Sequence, residues 1–122
     1  MSISSYAIPK KAVVGLRNVP RDIFDSLENA APAVGAVVRI NLDTTYNGVG
    51  LDLDISNAVG VAGAALITID KTKQITLAAG QRFTLENVLF MLIEIRRAGA
   101  GAILVNSYFA GVTKEALAFA RP

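Results

Sequence analysis

The chain contains no cysteine, no histidine and no tryptophan. Without cysteine there is neither a disulfide framework nor a thiolate metal site, and the redox compartment stays open. The absence of histidine removes the commonest general base, the commonest zinc ligand and the ordinary pH switch together. Serine and thiol triads of the usual kind are thereby excluded. Charge is also scarce, at 18% of residues, against roughly 25% in ordinary globular domains. No uncharged apolar stretch reaches the ~18 residues of a membrane span. The start, MSISSYAIPKK, has its lysines after its short apolar part, the reverse of a signal peptide.

What is present is apolar and small: 52% of residues are hydrophobic and the mean hydropathy is +0.46. A chain of 122 residues makes one domain with a single core. So few charges cover its surface poorly, and burial of some apolar surface against another subunit resolves the difficulty. The net charge of +2 is spread over dispersed cations, among them Lys10, Lys11, Arg17, Lys71, Arg82 and Arg97. No run has the density of a nucleic-acid footprint, so no specific nucleic-acid site is expected.

Residues 1–11 read as an extended N-terminal arm, and 12–122 as a single β-sandwich domain. Ala12–Val19 is a plausible first strand, closed by Pro20. Arg21–Ala31 carries helical spacing through Ile23, Phe24 and Leu27, with Asp22 as a cap, and reads either as a one-to-two-turn helix or as an irregular loop. From Val38 the period becomes two. Val38, Ile40 and Leu42 alternate with Arg39, Asn41 and Asp43, then Leu51, Leu53 and Ile55 with Asp52, Asp54 and Ser56. Asn47-Gly48 between them is a hairpin-type turn signal. Strands follow at Ala64–Asp70, Gln74–Ala78, Val88–Arg96 and Ala102–Ala110, the last closed by Gly111. The Val88–Arg96 strand puts Leu89, Met91, Ile93 and Ile95 on one face. Its other face is half apolar through Phe90 and Leu92, which marks those two as interface candidates. The tail from Val112 to Pro122 reads equally as strand or helical turn. Many short strands between Gly and Asn turns, with at most one short helix, predict an all-β antiparallel two-sheet sandwich or a barrel.

No motif carries catalysis. Asp52 and Asp54, two apart on one strand, share a face and have the donor chemistry for a hard cation, but they fit better as solvated outward residues. Gly48-Val49-Gly50 and Gly99-Ala100-Gly101 open no helix after a strand, so they are turns rather than dinucleotide loops. The aromatics are dispersed and not interleaved with cations, which argues against base stacking. Tyr46 beside Asn47-Gly48 is the one loop aromatic suited to a ligand. No catalytic residue, metal site or cofactor is assigned.

The stretch from about residue 34 to 111 resembles the small jelly-roll vertex (penton) proteins of tailless icosahedral phages with an internal membrane. The resemblance is carried by the turn Ile55-Ser56-Asn57-Ala58, the turn Ala78-Ala79-Gly80-Gln81, and two apolar strands separated by Gly99–Gly101. It implies an eight-stranded jelly roll that forms a ring, favourably a pentamer, contacts the major capsid protein or other virion proteins and performs no catalysis. It places the chain in the virion. In that setting Lys10, Lys11 and Arg17 are candidates to meet an acidic lining or lipid headgroups, touching a membrane without spanning it. The alternatives are a phage head-decoration or fibre protein, and a monomeric sugar- or cell-surface-binding sandwich.

Overall fold

The computed structural model describes residues 23–114. The strands are β1 Ile23–Ala30, β2 Val38–Asn41, β3 Gly48–Asn57, β4 Ala65–Ile69, β5 Lys73–Leu77, β6 Arg82–Phe90, β7 Leu92–Arg97 and β8 Val105–Thr113, with one short helix, α1 Leu42–Tyr46. They form two four-stranded antiparallel sheets in the orders β1-β8-β3-β6 and β2-β7-β4-β5. Apart from the β4–β5 hairpin, successive strands alternate between the sheets, and the last strand returns between the first and the third. This strand order is the jelly roll, two Greek keys folded into a sandwich.

Alternation places the core. Leu53 and Ile55 of β3 and Phe109 of β8 face Ile67 of β4 and Ile93 and Ile95 of β7, all essentially inaccessible. Between them Asp52, Asp54 and Ser56 turn outward, as the two-residue period requires. A bulge between Gly50 and Asp52 shifts the register to both neighbouring strands. It lets the Phe90 ring lie directly over Gly50, in space that a Cβ would occupy.

Four expectations are corrected. Residues 23–30 are a strand, because pairing along all eight positions with β8 outweighs a short helical stripe that only one face could bury. The helix lies instead at Leu42–Tyr46. The Asn41 side chain accepts from the N–H groups of Asp43 and Thr44 at 3.0 and 3.3 Å, and Asn47 ends the helix in the left-handed region. Asn47-Gly48 is therefore a helix cap leading into β3 and not a hairpin turn. Val88–Arg96 is not one strand: β6 ends at Phe90, Met91 makes a corner, and β7 starts in the opposite sheet. The Asp70 carboxylate fixes that corner by accepting from the N–H groups of Met91 and Leu92, both at 2.9 Å. Gly111 closes nothing; β8 runs through it to Thr113. The proposed arm and the Ala12–Val19 strand lie outside the described residues.

The opposite end is held by Asn57, 1% exposed at the last position of β3. Its amide nitrogen donates to Gly63 O at 2.9 Å and Leu77 O at 3.1 Å, and its oxygen accepts from Leu104 N at 3.3 Å. Its backbone N–H donates to Gln81 O at 3.0 Å, and its carbonyl accepts from Gly80 N at 2.8 Å. One buried residue, by its side chain and backbone together, thus ties both sheets to three loops. An Asn57→Ala change strands buried backbone groups, each worth about 1–3 kcal/mol. We expect a loss of about 3 kcal/mol, read as a lower urea midpoint at unchanged slope. The exposed Asn29→Ala should stay within about 0.5 kcal/mol of the parent.

Candidate functional site

The outer face of the β1-β8-β3-β6 sheet carries the densest group of polar side chains. Pairing sets them in three cross-strand rows: Asp25, Ala110, Asp52 and Glu86; Leu27, Tyr108, Asp54 and Thr84; Asn29, Asn106, Ser56 and Arg82. Each comes from the outward parity of its strand, so the alternation that fills the core also assembles this surface. A shallow cleft of about 200 Å³ runs along it, bordered by Asp52, Asp54, Arg82, Glu86 and Tyr108. A neighbouring hollow shares Asp54, Arg82 and Tyr108 and extends to Leu27 and Asn106.

Most of these groups are partnered. Arg82 Nε meets Asp54 Oδ1 at 2.8 Å, and the Tyr108 hydroxyl donates to Asp25 Oδ2 at 3.1 Å. Burial, then the hydrogen bond to Asp25 and the charge of Asp25, raise the Tyr108 hydroxyl above its ordinary value. Asp52 Oδ1 accepts from Asn87 N at 3.2 Å, while its Oδ2 is buried without a partner. Desolvation raises the Asp52 pKa, the Asn87 bond opposes the rise, and the neighbouring Glu86 charge adds to it. The cleft thus offers carboxylate acceptors beside one aromatic ring, a chemistry suited to hydroxyl-bearing ligands. It presents no nucleophile activated by a base, and among the described residues no three carboxylates are grouped to hold a metal ion.

Between the sheets the core side chains Ile55, Ile67, Ile93, Ile95 and Phe109 are fully buried. The one buried carboxylate among the described residues, Glu94, alternates with Ile93 and Ile95 and so points away from the core. Its Oε2 meets Arg39 Nε at 2.9 Å.

The residues marked by sequence are scattered. Phe90 is a correction: at 1% exposure it belongs to the core, where its ring, at the last position of β6, lies over Gly50. Leu92 is half-buried at the outward side of β7. Lys10, Lys11 and Arg17 lie outside the described residues. Tyr46 is no loop aromatic; it stacks on Phe24 at 4.4 Å and meets Phe109 edge-on at 5.9 Å. The aromatic that does face outward, Tyr108, was legible in the alternation of Val105, Ser107 and Phe109 with Asn106 and Tyr108, but its companions Asp25 and Arg82 required the strand pairing. Among the described residues no helix is long and apolar enough to cross a membrane.

No protein-family model and no curated protein matches the sequence. Solved structures do show likeness. A de novo designed double-stranded β-helix is 16% identical with a TM-score of 0.42, over 70% of this chain and 97% of the design. The Cupin_2 domain of an XRE family transcriptional regulator from Enterobacter cloacae is 13% identical with a TM-score of 0.47, over 72% of this chain and 95% of that one. A chain of the disulfide-linked pili of Bacillus endospore appendages is 14% identical with a TM-score of 0.45, over 75% and 89%. The jelly-roll assignment stands on the strand order itself.

Asp52 generates a prediction with a definite sign. Because its folded pKa lies above the ordinary 3.8, the native state holds the proton more tightly than the unfolded chain does. Stability is then highest below about the unfolded pKa and falls as pH rises through the folded value. Asp52→Asn removes that dependence. The variant should exceed the parent in urea midpoint at pH 7, and the gain should vanish as pH is lowered to 3.

Proposed function

We propose that this chain is a non-enzymatic structural protein, a jelly-roll subunit of a symmetric assembly, of the kind that occupies the vertices of a virus capsid. The observation that supports this reading is a sandwich filled by its own side chains while large aliphatic groups stand outside. Phe90, Phe109, Ile67, Ile93 and Ile95 close the interior, and Leu27, Val34, Val59 and Leu89 are more than half exposed. Such a domain has no internal ligand chamber and has apolar surface left to cover. The low charge of the sequence and its resemblance to vertex proteins point the same way. On this reading the partners are further copies of the chain and the major capsid protein, and the place is the virion. Symmetry then multiplies individually weak contacts into a stable ring.

A second reading rests on Tyr108 and its carboxylate neighbours, which suit a monomeric sugar- or cell-surface-binding module. Native mass spectrometry of the full chain separates them. We expect a closed ring, a pentamer foremost; a trimer would favour a head-decoration or fibre protein. A monomer that binds glycans, with binding lost in Tyr108→Ala, would replace the assembly reading by the binding module.

A further inference from the structure

Each sheet ends in two strands with no further ladder partner among the described residues, β1 and β6 in one sheet, β2 and β5 in the other. Such an edge is a template for another strand unless the sequence blunts it. Three of these edges are blunted. β6 bulges between Glu86 and Phe90, where Asn87 takes a left-handed φ of 59°. β2 is four residues long and carries Arg39, and β5 has five residues and starts on Lys73.

β1 differs. Its eight residues pair one for one with β8, without a shift in register, and include no proline, lysine or arginine. At mid-strand, on the outer face, Leu27 is 63% exposed. Tyr108 stands beside it in the same cross-strand row, so aromatic and aliphatic surface runs up to the open margin of the sheet.

We infer that β1 is a contact between two copies of the chain, paired antiparallel about a two-fold axis at Leu27. The two four-stranded sheets then join edge to edge into one. The occupant is a second copy because β1 complements itself in one register. Outward residues must oppose outward ones, so the axis passes through a single residue, which faces its own counterpart. With the axis at Asp25 or Glu28, a carboxylate faces itself; at Ser26, Leu27 faces Asp25 and Phe24 faces Glu28. Axes nearer either end pair fewer residues. At Leu27 the two leucines meet, each Asp25 faces the partner's Asn29, and each Glu28 faces the partner's Ser26. Every carboxylate then has an amide or hydroxyl donor opposite it, and no like charges are opposed. Leu27 is flanked by Tyr108 on one side and the partner's Leu27 on the other, which shields it from water. The contact goes beyond the ring reading above, since a ring closes through unlike patches and this interface joins like to like.

The chain lacks cysteine, so a single introduced thiol cross-links only to its counterpart in another copy. Facing residues of an antiparallel pair have Cα atoms about 4.5–5.5 Å apart, within disulfide reach. With Leu27→Cys we expect a disulfide-linked dimer under mild oxidation. Thr84→Cys, exposed in the same row at the opposite margin, should give none. Leu27→Lys, at a position too exposed to disturb folding, sets like charges face to face. It should raise the dissociation constant by about tenfold or more, with partial recovery in high salt. Amide exchange across residues 24–30 should slow as the wild-type concentration rises. A wild-type chain that stays monomeric at every concentration overturns this contact and the assembly reading together. An oligomer that keeps its mass in Leu27→Lys, or gives no Leu27→Cys cross-link, overturns this contact and leaves assembly standing. A dimer dispersed by Leu27→Lys supports the contact and counts against the ring.

Discussion

The fold turns on one buried amide. Asn57 ends the central strand β3 and reaches the 58–64 loop, the end of β5 and the approach to β8 through a single side chain. Its backbone adds the 78–81 turn. A jelly roll keeps few consecutive strands in one sheet, so most of its connections must cross between layers, where backbone groups lose their ladder partners. Asn can donate twice and accept at once, and it supplies those partners where water is excluded. Burial of such a group is tolerated only because each of its atoms is answered.

The far end solves the same problem with a charge. Asp70 accepts two N–H groups at the Met91 corner, and Leu42 N donates to Met91 O at 2.8 Å. There the carboxylate has solvent beside it, and the α1 cap and the ion pair of Lys114 with Asp43 share the surface. The two ends are thus built from different chemistry. One carries exposed charged groups, and the other satisfies its backbone internally and has no charged residue in its loops. This asymmetry follows from the loop sequences, and topology turns it into two distinct surfaces.

The same alternation that seals the interior decides what the faces can do. Ile67, Ile93 and Ile95 are fully buried between the sheets, while the clefts described lie on the outer face beside Tyr108. Some outer-face groups are engaged with one another, Arg82 with Asp54 and Tyr108 with Asp25. Exposed pairs of this kind contribute little to stability, about 0–1 kcal/mol each. The exposed aliphatic groups have no such internal partners, which is why assembly is the stronger reading.

The two-residue period of β3 was plain in the chain: Leu53 and Ile55 inward, Asp52 and Asp54 outward, because side-chain direction in a strand is a local property. The absence of histidine and cysteine, and with it the absence of their chemistry, was equally plain. Where tertiary contact overrode local pattern, the sequence was silent. Residues 23–30 became a strand because β8 offered eight paired positions. The apolar run from Val88 was cut at Met91 because a carboxylate 21 residues away in sequence accepts from that N–H. Tyr46 left the loop for the core because Phe24 and Phe109 flank it. The sequence alone determined the class, the alternating faces and the charge-free loops. Only the tertiary structure decided that those loops share one end, since which backbone groups pair across the sandwich depends on residues far apart in the chain.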